Sequence, residues 1–242
     1  ILAAGRGSRM KNLTELKPKC LVELHGKSLL DRQLDALNMA NIEDISIVTG
    51  YRREMLIRSG LREFHNPRWA ETNMVSSLEC AKDWLKEGPC IVSYSDIFYR
   101  STAIRSLVSS SESLAVTYDP NWLDLWSRRF NDPLIDAESF RLGNKSILVE
   151  IGKKPKSVDD VQGQYMGLVK FTPKGWGEVD RIRKELTQQK RDKMHMTETL
   201  QMVIEAKRFN IQAVEYNSSW GEIDSEDDLK VYSASSYNLN DK

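Results

Sequence analysis

The feature that most constrains the fold is an alternation of strand-like and helical patterns in the first half of the chain. After the predicted cap Ser28, a core stripe repeats at helical spacing through Leu29, Leu30, Gln33, Leu34 and Leu37. A second apolar stripe, over 74–85, follows the predicted cap Asn73. Strands that alternate with helices predict an α/β fold with a mostly parallel sheet and helical crossovers. The apolar runs that predict strands are 45–49, 90–94, 114–117, 146–151, 165–171 and 211–214.

The length of the chain and the order of its predicted strands and helices indicate one domain over residues 1–242, with an insertion at about 119–163. Within the insertion the helical alternation stops, and Asn144-Lys145 predicts a hairpin turn between two strands. The polar stretch 187–193 predicts a loop, and a closing helix is expected over 226–236. Because the chain opens partway through a strand without an initiator Met, we expect it to be part of a longer chain.

The first residues predict a phosphate cradle, since an apolar run breaks into glycines whose backbone N–H groups can approach an anion closely. A Walker A loop is excluded because Cys20-Leu21 stands where that loop requires a glycine ahead of Gly26-Lys27-Ser28. A dinucleotide fingerprint is excluded because Met10 stands where its third glycine should be. The alternative is a tight surface turn with solvated arginines. The candidate cradle residues are Leu2, Ala3, Ala4, Gly5, Gly7, Ser8, Arg9 and Lys19.

This stretch resembles the signature of the sugar-phosphate nucleotidyltransferases. The resemblance rests on the run from Leu2 to Met10, on Lys17-Pro18-Lys19, and on Leu21-Val22 leading to Gly26-Lys27. It implies the nucleotide-diphospho-sugar transferase fold, a Rossmann-like mixed sheet flanked by helices. It also implies that the first strand and its loop hold the base and triphosphate of an NTP. Arg9 and Lys19 would then hold phosphates and stabilise charge as pyrophosphate leaves.

Asp96 stands where a predicted strand ends, next to Ser95. Ligands of open parallel sheets bind at the carboxyl ends of strands, and Mg²⁺ prefers oxygen ligands. A helix N-cap is the alternative for this aspartate. In the resembling family an aspartate at this strand end binds Mg²⁺, so we assign Asp96 to the metal and Ser95 to the nucleotide.

A second acidic site lies between the last predicted strand and the last predicted helix. Glu222 and Asp224 flank Ile223, so in an extended segment both carboxylates face one side, where they repel each other unless a cation lies between them. The phosphocholine cytidylyltransferases carry a similar Glu-Ile-Asp, which implies that these acids complete a Mg²⁺ site. The alternative is that Asp224 caps the last helix, whose first-turn acids are Glu226, Asp227 and Asp228.

Small polar side chains follow the predicted strand 45–49 and begin the helix predicted after Asn73. At these positions they can recognise the edge of a base by hydrogen bonds. Plain helix capping by Asn73 is the alternative. The stretch also resembles the Asn-x-x-x-Ser segment of choline-type cytidylyltransferases, which favours cytosine. The candidate base-binding residues are Thr49, Gly50, Tyr51, Asn73 and Ser77.

The insertion resembles that of the cytidylyltransferases that act on phosphonates such as 2-aminoethylphosphonate, in the stretches 118–122, 128–130, 132–133 and 151–155. Trp122 and Trp126 are four residues apart and could form one face of a cage for an alkylammonium group, with Asp119 or Asp136 neutralising it. The alternative is an aromatic helix face packed into the core. The candidate acceptor-binding residues are Asp119, Trp122, Trp126, Arg129, Asp136 and Lys154.

Composition limits the partners. Lys+Arg and Asp+Glu number 35 each, which argues against a nucleic-acid or membrane surface. Three cysteines without CxxC spacing suit reduced thiols and a cytoplasmic protein. We expect CTP and a small acceptor as partners and leave a homo-oligomer open.

The sequence therefore predicts a Mg²⁺-dependent cytidylyltransferase. It would convert CTP and a phosphonate, or a phosphocholine-like phosphate monoester, into a CMP conjugate and pyrophosphate. One alternative is a sugar-1-phosphate nucleotidyltransferase, which needs polar groups for sugar hydroxyls in the insertion. Another is a catalytically inactive nucleotide-binding regulatory domain, which is weakened because cradle, lysine and acids occur together.

Overall fold

The computed structural model describes residues 1–234, and its internal contacts divide the chain into two compact units. Unit 1 comprises residues 1–82 and 92–105 and the described residues from 218 onward. Unit 2 comprises residues 83–91 and 106–217. Unit 2 is therefore larger than the insertion predicted at 119–163, while the assignment of the whole chain to one domain stays a prediction.

The described residues contain short strands and helices in alternation. The strands are β1 Leu2–Ala3, β2 Glu23–Leu24, β3 Lys27–Ser28, β4 Ser46–Thr49, β5 Arg62–His65, β6 Cys90–Ser93, β7 Ile97–Tyr99, β8 Leu114–Asp119, β9 Phe140–Leu142, β10 Leu148–Ile151, β11 Gln164–Phe171, β12 Ile211–Glu215 and β13 Trp220–Glu222. The helices are α1 Leu29–Met39, α2 Met74–Glu79, α3 Trp84–Glu87, α4 Ser101–Val108, α5 Trp122–Arg129, α6 Pro173–Lys184, α7 Gln188–Lys193, α8 Met196–Ala206 and α9 Glu226–Ala234.

Unit 1 is built on a parallel sheet. β1 pairs with β4, and β4 pairs with β5, all in parallel register. Leu2 on β1 also forms a parallel bridge to Tyr94, directly after β6. The predicted cap Ser28 accepts a hydrogen bond from Asp31 N–H at 3.1 Å and begins α1, which packs against β7. This arrangement places the ends of β1 and β6 side by side.

A two-stranded antiparallel sheet in unit 1 joins distant parts of the chain. β13 pairs with β7, so that Glu222 lies opposite Ile97 and Gly221 lies opposite Phe98. A Cβ on Gly221 would lie 2.6 Å from the rings of Phe98 and Tyr232. Only glycine lets these two strands and the Tyr232 ring approach so closely.

Unit 2 contains a mixed sheet around β8. β12 pairs with β8 in parallel, and β11 pairs with β8 in antiparallel register. β9 and β10 form the hairpin predicted from Asn144-Lys145, and Lys145 adopts the left-handed conformation (φ 58°) in its turn. The predicted α/β class with mixed strand pairing is confirmed.

Three local predictions need correction or restriction. The helical stripe over 74–85 is interrupted, because α2 ends at Glu79 and α3 begins only at Trp84. The segment predicted as a loop at 187–193 is the helix α7, whose cap Thr187 accepts from Lys190 N–H. The last two residues of the closing helix predicted over 226–236 lie outside the described residues. Within residues 1–234, no helix combines the length and the apolar character that a membrane span requires.

Candidate active site

The glycine turn after β1 is fixed around Lys19. Gly7 has φ +70°, and its carbonyl accepts hydrogen bonds from Met10 N–H at 3.0 Å and from the buried Thr14 hydroxyl at 2.8 Å. A Cβ on Gly7 would lie 2.7 Å from Lys19 Cβ, so this position must be glycine for the turn to pack on the lysine. At Gly5 the added Cβ would have no atom of the described chain within 4 Å. The turn is thus tight at Gly7 and open at Gly5.

A cavity of about 270 Å³ lies in unit 1, beside this turn. It is bounded by the end of β1, the start of α2 and the residues that follow β6. Predicted site residues in its lining are Leu2, Ala4, Gly5, Gly7, Ser8, Arg9, Lys19, Asn73, Ser77, Ser95 and Asp96. The sequence analysis missed the lining residues Trp69, Thr72, Met74 and Tyr94.

Pairing of β7 with β13 brings the three predicted metal ligands together. Asp96 immediately precedes β7, and its carbonyl accepts a hydrogen bond from Ile223 N–H at 2.9 Å. One carboxylate oxygen from each of Asp96, Glu222 and Asp224 lies within 4.8 Å of the other two. The acids therefore form one cluster although more than a hundred residues separate Asp96 from the other two.

Gln33 of α1 fixes the turn that carries Asp96. This fully buried side chain donates to the carbonyls of Tyr94 at 2.7 Å and Ile97 at 2.6 Å. Its own carbonyl accepts from the Ser93 hydroxyl at 3.0 Å. All the hydrogen-bonding capacity of the amide nitrogen is used on the backbone on both sides of Asp96. We interpret Gln33, expected only as part of a core stripe, as the residue that positions this acid.

Asp224 does not cap the last helix. Asp228 accepts from Ser225 N–H at 2.9 Å, and Ser225 Oγ accepts from Asp228 N–H at 3.2 Å, which is a reciprocal capping box with Ser225 as N-cap. Asp228, one of the acids expected in the first turn, is thus the capping partner of Ser225. The Asp224 carboxylate, which is buried, is left to the acidic cluster.

Lys19 lies among the three acids. Its ammonium, on a buried side chain, donates to Asp96 Oδ2 at 2.8 Å and to Asp224 Oδ1, and the exposed Arg9 pairs with the same Asp224 oxygen at 2.8 Å. Burial alone would lower the pKa of Lys19, but attraction to Asp96, Asp224 and Glu222 outweighs burial and raises it. For Asp224 the signs are reversed. Burial would raise the pKa of this carboxyl, but attraction to Lys19 and then to Arg9 lowers it. The pair therefore stays ionised at neutral pH.

The donor set fits a hard divalent cation. Three carboxylates face one buried ammonium, so negative charge remains in excess. Asp96 Oδ1 is buried and accepts no hydrogen bond from any residue in the described part of the chain. Buried carboxylate oxygens without donors are costly unless a cation binds them, and oxygen-only ligation suits Mg²⁺.

Comparison with known proteins decides the family. Residues 1–149, more than half of the chain, match the model of the MobA-like NTP transferase domain. The chain belongs to this family. The CTP:phosphoglutamine cytidylyltransferase of Campylobacter jejuni is 37% identical over 96% of this chain and 97% of its own. The 2-aminoethylphosphonate cytidylyltransferase of Lancefieldella rimae is 33% identical over 40% of this chain and 42% of its own.

A solved structure agrees with the fold of this MobA-like transferase. The CTP:phosphocholine cytidylyltransferase of Streptococcus pneumoniae matches with a TM-score of 0.72 at 22% identity, over 96% of this chain and 95% of its own. The resemblance to sugar-phosphate nucleotidyltransferases, and the fold that it implied, are confirmed. The protein is accordingly an enzyme of nucleotidyl transfer.

Four residues predicted to bind the nucleotide do not line the cavity of the MobA-like transferase. Ala3 is buried in β1. Thr49 is buried and donates its hydroxyl proton to the Glu63 carboxylate, while the Tyr51 hydroxyl donates to the carbonyl of Glu15. Gly50 acts through packing, because a Cβ there would lie 2.5 Å from Trp69 Cβ and 2.6 Å from the Ala4 carbonyl.

Asn73 keeps both of its expected roles. Its side chain accepts a hydrogen bond from Met74 N–H at 2.9 Å and so caps α2, which was the alternative to base binding. It also lines the cavity. Helix capping and ligand contact therefore do not exclude each other at this residue.

The tryptophans of unit 2 are core side chains. Trp122 and Trp126 are 3% and 0% exposed, and Trp122 Nε1 donates to the carbonyl of Val161 at 2.9 Å. Trp126 Nε1 donates to Asp136 at 3.2 Å, and the Arg129 guanidinium lies 4.6 Å from the centre of the Trp126 ring. The prediction of an ammonium cage is wrong for these rings, because both are buried and the protein's own Arg129 covers the Trp126 ring.

The other acceptor candidates in unit 2 have structural contacts. Asp119 is buried and accepts from Asn121 N–H at 2.7 Å. The Lys154 ammonium donates to the carbonyls of Leu134 and Ile135, the latter at 2.9 Å. Lys154 therefore closes the turn at 133–135, and its assignment to acceptor binding stays a prediction.

Proposed function

We propose that this protein transfers CMP from CTP to a small acceptor that bears a phosphate or phosphonate group. The observation that carries the proposal is the cluster of Asp96, Glu222 and Asp224 around Lys19, at the edge of a cavity walled by a glycine turn. Such a cluster serves a reaction in which negative charge develops on a polyphosphate. The family membership and the matching cytidylyltransferases support the same reaction.

In this reaction an acceptor oxygen forms a bond to the α-phosphorus while the bond to the bridging oxygen breaks and pyrophosphate leaves. The protein needs no nucleophile of its own. Gly5 and Ser8 offer backbone N–H groups next to open space, and Arg9 and Lys19 place positive charge where the leaving group becomes more negative. Asp96, Glu222 and Asp224 would hold Mg²⁺, which when bound neutralises phosphate charge and favours in-line attack.

For the acceptor, phosphoglutamine is our first choice. The relative named for that acceptor matches along 96% of this chain, whereas the relative named for 2-aminoethylphosphonate matches along 40%. The residues that suggested an alkylammonium cage, Trp122 and Trp126, are buried. Phosphocholine and 2-aminoethylphosphonate therefore rank second as acceptors.

A matrix of pyrophosphate-release assays tests the proposal. Each of the four NTPs is combined with phosphoglutamine, phosphocholine, 2-aminoethylphosphonate or glucose 1-phosphate, with Mg²⁺ and after chelation. We expect release with CTP and phosphoglutamine, and a loss of roughly 100-fold or more in the Asp96→Asn variant. Turnover with a sugar phosphate and another NTP would favour the sugar-nucleotide alternative, and NTP binding without turnover would favour the regulatory one. Mn²⁺ binding followed by electron paramagnetic resonance tests the metal site without relying on turnover.

A further inference from the structure

A hydrogen-bond network behind the wall of the unit 1 cavity is centred on Asn66, a residue to which no site role has been assigned so far. Asn66 is 4% exposed and follows β5. Its amide nitrogen donates to Thr72 Oγ1 at 3.0 Å and to Ser77 Oγ at 2.9 Å, and both of these residues line the cavity. Because 3.0 Å and 2.9 Å add to 5.9 Å, the two hydroxyl oxygens lie at most 5.9 Å apart.

The orientation of the Asn66 amide is fixed by the backbone. Its oxygen accepts a hydrogen bond from Arg68 N–H at 2.9 Å, and a backbone N–H can only donate. The amide nitrogen must therefore point at the two hydroxyls and use both of its protons on them. Each hydroxyl oxygen is thus an acceptor toward Asn66.

This donation decides what each hydroxyl can offer to a ligand. The Thr72 hydroxyl donates its own proton to the carbonyl of Arg68 at 2.9 Å, so a lone pair is what it has left for a ligand. The Ser77 hydroxyl accepts from Asn66 and has no acceptor for its proton among residues 1–234, so it is left with a donor. One wall of the cavity therefore presents a donor at Ser77 and an acceptor at Thr72.

We infer that Asn66 sets the base preference of the enzyme by fixing the direction of these two hydroxyl protons. Cytosine pairs an acceptor at N3 with an amino donor at position 4, which complements a donor and an acceptor. Uracil presents the reverse, a donor at N3 and an acceptor at position 4, and would be rejected at both points. Adenine shares the cytosine pattern, so the network selects an amino-bearing base edge over a keto-bearing one. Asn66 is a positioning residue, and the inference rests on the proposed transfer from CTP.

The Asn66→Asp variant tests this directly, since a carboxylate of almost the same shape accepts where the amide donates. Thr72 and Ser77 would turn their protons toward Asp, so that both offer lone pairs to the cavity. One hydrogen bond is worth roughly tenfold in affinity. We expect the ratio of CTP to UTP affinity, measured by calorimetry with Mg²⁺ and without acceptor, to fall at least about tenfold. The matched control Ser76→Ala, a neighbouring hydroxyl of α2, should leave the ratio unchanged.

A second measurement covers the case in which the Asp variant does not fold. A CTP analogue whose base lacks the 4-amino group should bind wild-type protein about tenfold more weakly than CTP, and Thr72→Val should remove most of that difference. An equal difference in both proteins, or an unchanged CTP to UTP ratio in a folded Asn66→Asp variant, overturns the inference. If the wild-type protein binds CTP and UTP equally, the inference fails, whereas the proposed function fails only if CTP supports no pyrophosphate release with any of the acceptors.

Discussion

Replacing Gln33 by leucine should damage both the stability of the protein and its turnover. Leucine has nearly the volume of glutamine but makes none of the three hydrogen bonds to Tyr94, Ile97 and Ser93. At roughly 0.5 to 1.5 kcal/mol for each buried bond, the free energy of unfolding should fall by about 2 to 4 kcal/mol. For a chain of this length about 1 kcal/mol lowers Tm by 2 to 4 °C, so we expect a drop of roughly 5 to 15 °C.

Turnover should fall for a separate reason. The backbone carbonyls that Gln33 holds flank Asp96, so their release lets this acid leave the cluster that it forms with Glu222 and Asp224. We expect kcat, measured by pyrophosphate release at a temperature where both proteins are folded, to fall at least about tenfold, because small displacements of a catalytic group are costly.

The control for this prediction is Gln189→Leu, an exposed glutamine of α7. Its Tm and kcat should match those of the wild type, since exposed substitutions usually change stability by less than about 0.5 kcal/mol. If Gln33→Leu lowers Tm by less than about 2 °C and leaves kcat intact, Gln33 does not hold the turn that carries Asp96 as we describe it.

Three further predictions concern charged residues. Asp96→Asn should lower turnover by roughly 100-fold or more while Tm changes little, and Asp44→Asn, an exposed control, should change neither; near-normal turnover removes Asp96 from the site. Lys19→Ala should lower kcat as well as raise KM for the NTP, because the ammonium acts on developing charge; a loss confined to KM would make Lys19 a binding residue. In the fold, Arg181 lowers the pKa of the buried Glu178, so this carboxylate stabilises the protein above its unfolded pKa and less as pH falls through the folded one. Glu178→Gln should therefore destabilise by about 1 to 3 kcal/mol at pH 7 and by progressively less as pH falls through the folded pKa of Glu178, as denaturant titrations over a series of acidic pH values would reveal; a pH-independent difference contradicts this.

The parts of the site that the sequence predicted share a physical reason. The phosphate cradle is predicted by the local spacing of Gly5, Gly7 and Lys19. The position of Asp96 is predicted by the apolar run before it, which indicates a strand that ends there. Their positions follow from residues close in sequence, together with the rule that strand ends meet at one edge of a sheet.

The parts that the sequence did not predict depend on contacts between distant segments. Gln33 belongs to a helical core stripe, and nothing in its neighbourhood shows that its amide reaches the turn at 93–97, about sixty residues away. Trp122 and Trp126 have the spacing of either a cage or a core face, and only burial distinguishes the two. Trp69 lies in an irregular segment without periodicity, so its place in the cavity lining left no pattern in the sequence.

The pairing of β7 with β13 has a consequence for biosynthesis. Asp96 is synthesised before Glu222 and Asp224, which follow it by more than a hundred residues. The segment that forms most of unit 2, residues 106–217, must leave the ribosome before β13 can pair with β7 and the acids can meet. A nascent chain that ends before β13 would already carry the glycine turn, Lys19 and Asp96, yet it would lack two of the three carboxylates. We expect such a chain to be unable to transfer a nucleotide until β13 and the residues up to Asp224 have been added.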